Sequence, residues 1–306
     1  MFRRISDNVG AVSALKILER TCLVRRARSD RPRPPVPLVE LVFPALNSAW
    51  AMEVMRGVVD SGLDVVLSSA AGRGTSWATD LVAARRAGVL MVTCPISAAE
   101  ERVLAHAGVP LVHIDPVDAA APDLLSVAAT NRAGGVTAVK HLLSLGHRRI
   151  GVVGGPRDVL CSRARVDGYR FALGRAGIAP DTALVRHADF TREGGRREAA
   201  ELLRLPDRPT AIFAANDEQA LGVVEAARAA GLSVPADLSV VGFDDLPAAR
   251  RCAPALTTVR QPLAAMGGQA GRMLADLIAG RAPATDRVEL ATDLVVRDST
   301  APPTPW

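Results

Sequence analysis

From residue 38 onward, short runs of apolar, often β-branched residues alternate with longer stretches whose apolar positions recur at helical spacing. The apolar runs fall at 38–43, 64–69, 89–93 and 110–114, with a shorter one near 127–130, and amphipathic stretches occupy about 50–61, 75–87 and 98–107. A second series has runs at 150–154, 183–186, 211–214 and 238–243, separated by helical stretches at about 158–176, 192–203 and 217–231. Strand–helix alternation of this kind predicts βαβ units with parallel sheets covered on both faces. Because the series occurs twice, it predicts an α/β protein of two doubly wound parallel-sheet lobes. Beyond the second series come a run at 256–259, a helix over about 263–279 and one strand-like segment, 287–297. If the run at 256–259 crosses between lobes, Thr257, Thr258 and Val259 form a hinge, since a few extended residues can absorb the change in φ and ψ. The last helix then joins the first lobe and the last strand returns to the second. On that reading residues 37–145 and 260–281 make one lobe, 146–259 and 282–298 the other, and 299–306 a tail. A ligand would lie at the carboxyl ends of both strand sets, in the crevice between lobes.

Composition narrows the class. A chain of 306 residues exceeds the size at which one core stops growing, and 49% hydrophobic residues suffice for two cores. No apolar run reaches the roughly 18–20 residues of a membrane span, and the arginines near the start are not followed by an apolar signal segment, so a cytoplasmic protein without a membrane partner is expected. Cys22, Cys94, Cys161 and Cys252 lie far apart, and the five histidines are never at metal-ligand spacing, so reduced structural cysteines and no metal or cofactor are expected. Residues 1–34 carry nine basic and three acidic residues, against 28 basic and 29 acidic in the remainder. A basic head on a neutral body is the asymmetry of a nucleic-acid-facing segment attached to a sensing body. Lys16 and Lys140 are the only lysines, so an arginine-rich solvated tail is the competing reading. The proline-rich run from Arg31 to Pro37 reads as a linker. No G-x-S-x-G elbow or G-x-x-x-x-G-K-[ST] loop is present, and Gly151–Gly155 lacks G-x-G-x-x-G spacing, so no catalytic residue is assigned and an enzyme is not expected.

The strand ends carry the candidate chemistry. The first strand runs out through Asn47 to Trp50, and the helix after 150–154 carries Arg165. The strand at 183–186 leads to Phe190, the next ends at Asn216-Asp217, and the last at Asp244-Asp245. An arginine fork, an asparagine, a carboxylate and two aromatic rings suit a sugar: the polar groups take adjacent hydroxyls and a ring stacks on the apolar sugar face. Singly these residues are weak signals, and Asn216-Asp217 reads more readily as a helix N-cap. Replacing Asp244 or Arg165 by alanine is expected to remove a ligand-induced rise in melting temperature without unfolding the protein.

The ordered blocks Leu145-Gly146-His147-Arg148-Arg149-Ile150, Ser162-Arg163-Ala164-Arg165-Val166-Asp167-Gly168-Tyr169, Ala214-Ala215-Asn216-Asp217, Val241-Gly242-Phe243-Asp244-Asp245 and Leu256-Thr257-Thr258-Val259-Arg260-Gln261-Pro262 resemble the effector-binding domain of LacI/GalR-type bacterial transcription regulators over about 37–298. The resemblance implies a periplasmic-binding-protein-like pair of lobes working as a homodimer, with a small polar effector, a carbohydrate by preference, in the cleft. It implies that Arg165 and Asp244 contact sugar hydroxyls, that Asn216 lines the pocket, that Phe190 stacks on the ligand, and that Asn47 and Trp50 sit at the first-lobe mouth, with Asn131 as a further contact. It also implies operator DNA as partner if a headpiece is present. Family members begin with a helix-turn-helix, whereas residues 1–36 read as a basic remnant ending in the linker. A start further upstream, an altered stretch at 1–12 and a loss of DNA binding are all open. The first helix is about one turn shorter than the family's, which predicts weaker packing there. The alternative class, a solute-binding protein of a sugar transport system, would need a secretory signal.

Overall fold

A computed structural model describes residues 37–46, 48–71, 74, 76–117 and 124–304. The headpiece reading of residues 1–36 and the candidate Asn47 lie outside the described residues. Two six-stranded sheets are present. The first is built from β1 (Leu38–Phe43), β2 (Asp64–Ser69), β3 (Val89–Val92), β4 (Leu111–Ile114), β5 (Ser126–Ala129) and β11 (Arg287–Leu290), in the order β11-β5-β4-β3-β1-β2 with all pairs parallel. The second contains β6 (Ile150–Gly154), β7 (Val185–His187), β8 (Ala211–Ala214), β9 (Ser239–Asp244), β10 (Thr257–Arg260) and β12 (Asp293–Val295), in the order β12-β10-β9-β8-β6-β7, where β12 alone runs antiparallel. The central strands β3, β6, β8 and β9 are buried at every residue, as strands covered on both faces must be, which is why they read as unbroken apolar runs rather than alternations.

The covering helices are α1 (Ala49–Asp60), α2 (Trp77–Ala83), α3 (Ala98–His106), α4 (Asn131–Ser144), α5 (Leu160–Arg175), α6 (Arg192–Leu203), α7 (Asp217–Ala229), the short α8 (Pro247–Arg251) and α9 (Leu263–Ile278). Their starts are set by side chains that accept from first-turn amides: Ser48 at α1, a Ser97–Glu100 capping box at α3, Thr191 at α6 and Asn216 at α7. Three helix pairs cross backbone against backbone, each through one glycine per helix. A Cβ at Gly57 of α1 would lie 1.9 Å from the Ala264 carbonyl oxygen, and one at Gly267 of α9 2.1 Å from that of Val54. Gly135 and Gly168 play the same part between α4 and α5, and Gly195 and Gly222 between α6 and α7. The weak packing expected at α1 is therefore not found: its Ala51, Val54 and Val58 are buried in the first-lobe core with Met266, Ala270 and Leu274 of α9.

The crossings between lobes differ from the sequence reading in three ways. Thr257, Thr258 and Val259 are no hinge: they lie inside β10, fully buried and paired with β9 on one side, while Thr258 and Val259 pair with β12 on the other. The segment 287–297 is two strands, its first half adding to the first sheet and its second half to the second. Residues 131–145 belong with the second lobe, because Ala138, Val139 and Leu142 of α4 pack with Ile150, Val152 and Phe213. The chain thus crosses at Thr130, at Gln261-Pro262 and at Ala291-Thr292. The first and third crossings are tied together, since Thr292 N donates to Thr130 Oγ1 at 3.0 Å and the two hydroxyls lie 3.1 Å apart. Of the tail read at 299–306, the described residues 299–304 pack on the second lobe: Ser299 is fully buried, its hydroxyl donates to the Val240 carbonyl at 2.6 Å and accepts from Thr257 N at 2.8 Å, and His147 Nε2 lies 2.9 Å from the Ala301 carbonyl.

Candidate ligand-binding cleft

A cavity of about 470 Å³ opens between the lobes, at the carboxyl ends of both sheets. From the first lobe it is lined by Ser48 and Trp50 at the start of α1, by Thr93 after β3 and by Asp115 after β4. The second lobe contributes Cys161 and Arg165 of α5, Phe190 after β7, Asn216 after β8, Asp244 ending β9, and Leu246. Parallel strands all deliver their carboxyl ends to one edge, so seven loops converge on one crevice.

Arg165 is the centre of the floor and is only 2% exposed. Its Nε donates to Asn131 Oδ1 at 2.8 Å, its Nη1 donates to the Ala215 carbonyl at 2.6 Å, and the guanidinium sits 3.9 Å from the centroid of the Phe243 ring. Asp244 Oδ1 lies 3.8 Å from Arg165 Nη1 and accepts from Gln261 Nε2 at 2.5 Å. Asn131 also donates from Nδ2 to Asp115 Oδ1 at 3.0 Å. The polar line Asp115–Asn131–Arg165–Asp244–Gln261 therefore starts in the first lobe, passes the first crossing and ends in the second. Burial pushes Asp244 up to about 7, with Asp115 adding to the rise, while Arg165 and the Gln261 hydrogen bond hold it down. Burial likewise raises Asp115, against Arg165 and Asn131. Cys161 is pushed up to about 12, first by burial and then by Asp115, so its thiol is neutral.

Asp244 and Asp245 have φ of 118° and 59°, backbone that non-glycine residues adopt at a cost of about 1–3 kcal/mol each. The turn aims the two carboxylates in different directions. Asp244 meets the cleft, while Asp245 takes Arg250, Arg260 and Arg297, which come from α8, the end of β10 and the segment after β12. Asp217, the residue next to Asn216, fixes the same turn by accepting from Leu246 N at 2.7 Å and from Thr258 Oγ1 at 2.5 Å.

Of the residues singled out from sequence, Trp50, Arg165, Phe190, Asn216 and Asp244 come together around the cavity. The Phe190 ring lies on Gly155, where a Cβ would be 2.3 Å from ring carbons. Asn216 fills both of its roles, accepting from Gln219 N at 2.8 Å as N-cap and donating to the Phe190 carbonyl at 3.0 Å. Asn131 stands behind the site instead, where it bridges Arg165 and Asp115. Sequence reasoning missed Thr93 and Asp115, although each directly follows a buried apolar run. Both have positive φ, 48° and 50°, so the same turn geometry recurs at two first-lobe strand ends.

Two doubly wound lobes with Arg165, Asp115, Asp244, Trp50 and Phe190 gathered in the crevice have the architecture of a two-lobed periplasmic-binding-protein-like body, and among the described residues no metal-holding cluster is found. The periplasmic binding protein-like domain family matches residues 139–300. With the relatives below, this places the chain in the LacI family of transcriptional regulators. The transcriptional regulator CelR of Thermobifida fusca is 38% identical over 214 residues, 69% of this chain and 63% of that protein. A solved CelR–cellobiose complex superposes with a TM-score of 0.78 at 31% identity, covering 96% of this chain and 92% of that one. A LacI family regulator from Enterococcus faecium solved with bound ribose gives 0.78 at 27% identity, covering 87% and 100%. The matches span 50–63% of the length of curated relatives such as CelR, DegA of Bacillus subtilis and CytR of Escherichia coli, which are transcription regulators rather than enzymes.

Proposed function

We propose that this chain is the sensing body of a LacI-type transcriptional regulator, which binds a sugar-like effector in the cleft and couples lobe closure to operator DNA affinity as a cytoplasmic homodimer. The observation that carries the reading is the Arg165–Asp244 pair, buried at the cavity floor with Trp50 and Phe190 reaching in from opposite lobes. Adjacent sugar hydroxyls can bridge a guanidinium and a carboxylate, and flat rings cover the apolar faces of the ring. Relatives solved with cellobiose and ribose support a carbohydrate in this position. Coupling has a route, because the groups that would touch the ligand are held by residues at the crossings: Arg165 by Asn131, and Asp244 by Gln261. A ligand that binds the closed arrangement better shifts the population toward it by its difference in affinity.

A thermal-shift screen of mono- and disaccharides on the purified chain tests the sensing half; at a hundredfold excess over Kd a ligand stabilises by about 2.7 kcal/mol. A mobility-shift assay on the gene's own upstream DNA, with and without the active sugar, tests the output. Absence of a shift with every sugar overturns the carbohydrate reading, and absence of retardation overturns the DNA-binding one.

A further inference from the structure

The charge balance of the cleft says which sugars it can hold, an inference that rests on the proposed function and narrows it. Among the described residues lining the cavity, Asp115, Glu218 and Asp244 are acidic while Arg165 and Arg192 are basic. Both cations already have carboxylate partners. Arg165 spends Nε on Asn131 and Nη1 on the Ala215 carbonyl, and faces Asp244 across 3.8 Å. Arg192 stands at the rim, paired with Glu218 at 3.3 Å and Glu225 at 3.5 Å. The two carboxyls that reach deepest, Asp115 at 3% and Asp244 at 5% exposure, approach from different lobes, so they face a ligand from both sides. Gln261 holds one oxygen of Asp244, and Asn131 holds one of Asp115, which also has the Cys161 thiol as a partner.

We infer that the cleft is a two-sided acceptor clamp for an unphosphorylated, donor-rich sugar, with Asp115 as a specificity-determining residue that takes ligand hydroxyls from the first lobe and repels sugar phosphates. A hydroxyl donates to a carboxylate and satisfies it. A phosphate brings a charge of about −1.5 to −2 and only acceptors, so it confronts Asp115 and Asp244 with no cation between them that lacks a carboxylate partner. The four helix starts at the cleft, α1, α5, α6 and α7, favour negative charge by their dipoles. Glu193 in the first turn of α6, and Asp217 and Glu218 in that of α7, already meet that preference at those two helices.

The experiment is a calorimetric and thermal-shift comparison on the full chain of ribose, glucose, galactose, xylose, maltose and cellobiose, each beside its monophosphate. At least one free sugar is expected to bind, and its phosphate to bind at least about a hundredfold more weakly, the ratio that about 2.8 kcal/mol of repulsion gives. Asp115→Asn, close to isosteric, is expected to weaken the free sugar about tenfold and to shrink the gap to its phosphate. A phosphate that binds as well as or better than its free sugar overturns the clamp while leaving the sensor reading intact. No binding by any member of either set overturns the carbohydrate reading itself. An unchanged gap in Asp115→Asn removes Asp115 from the role.

Discussion

Arg165 shows how one side chain can serve site and scaffold together. The expectation that Arg165→Ala spares the fold does not survive its surroundings: buried at 2% exposure, it holds Asn131 and the Ala215 carbonyl and faces Asp244. Removing one partner from such a buried set leaves carboxylates uncompensated, so Arg165→Ala is expected to lose about 3–5 kcal/mol of unfolding free energy in urea titrations. Asp244→Asn keeps the shape and the link to Gln261, and is expected to leave the unliganded melting temperature near or above that of the unsubstituted protein while abolishing the sugar-induced rise. The pH dependence has a definite sign. An acid raised in the folded protein contributes stability that is complete below its ordinary value and is lost as pH climbs to the folded value, so the contribution of Asp244 fades between about 4 and about 7. His113, lowered by burial to about 4, acts oppositely, losing stability as pH falls from its ordinary value of 6.5. Calorimetry on the unsubstituted protein and Asp244→Asn separates the two: the difference in melting temperature is expected to move in favour of Asp244→Asn as pH rises from 4 to 7.

At the scale of elements, the paired glycines are the feature that apolar periodicity conceals. Gly135 and Gly168 look like weak points in their helices, yet each lets the partner's backbone approach where a side chain would stand. Gly135→Ala would place a methyl 2.4 Å from the Arg165 carbonyl, so it is expected to cost about 1–3 kcal/mol and to shift the floor of the cleft with α5. Strands and helices were legible because their periods differ, and buried parallel strands such as β3 and β8 leave unbroken apolar runs. The split of 287–297 was not legible: Ala291-Thr292 is no turn signal, and only pairing with two different sheets separates its halves. The same holds for Thr257–Val259, whose β-branched run suits a crossing segment and a central strand equally. The segment after β12 was read as a tail because no period marks it, yet it pairs with β9 through Ser299. Ending the chain after Arg297 is therefore expected to lower the melting temperature measurably in a thermal melt.

For the molecule as a whole, the cleft was legible to the extent that strand ends announce it. Asn216 and Asp244 stand at the ends of apolar runs, Phe190 and Trp50 a few residues beyond a strand, and Arg165 lies in a recognisable block. Asp115 and Thr93 follow such runs as well, but neither lies in one of the blocks that carry the family resemblance, which is what distinguishes Asp244 from Asp115. The positions of the crossings could not be read, since a crossing is a relation between segments far apart in the chain. Those crossings have a consequence during synthesis. The five strands β1 to β5 are complete by Ala129, but the helix that covers one of their faces, α9, begins only at Leu263, and the strand that finishes their edge at Arg287. While residues 130–262 are being made, the growing polypeptide therefore carries an uncovered apolar surface that includes Val54 and Val58 of α1 and Val112 and Ile114 of β4. A chain arrested at Pro262 is expected to bind a hydrophobic dye and a holdase chaperone, and one released at full length to bind neither, so that the half made first waits for segments made near the end.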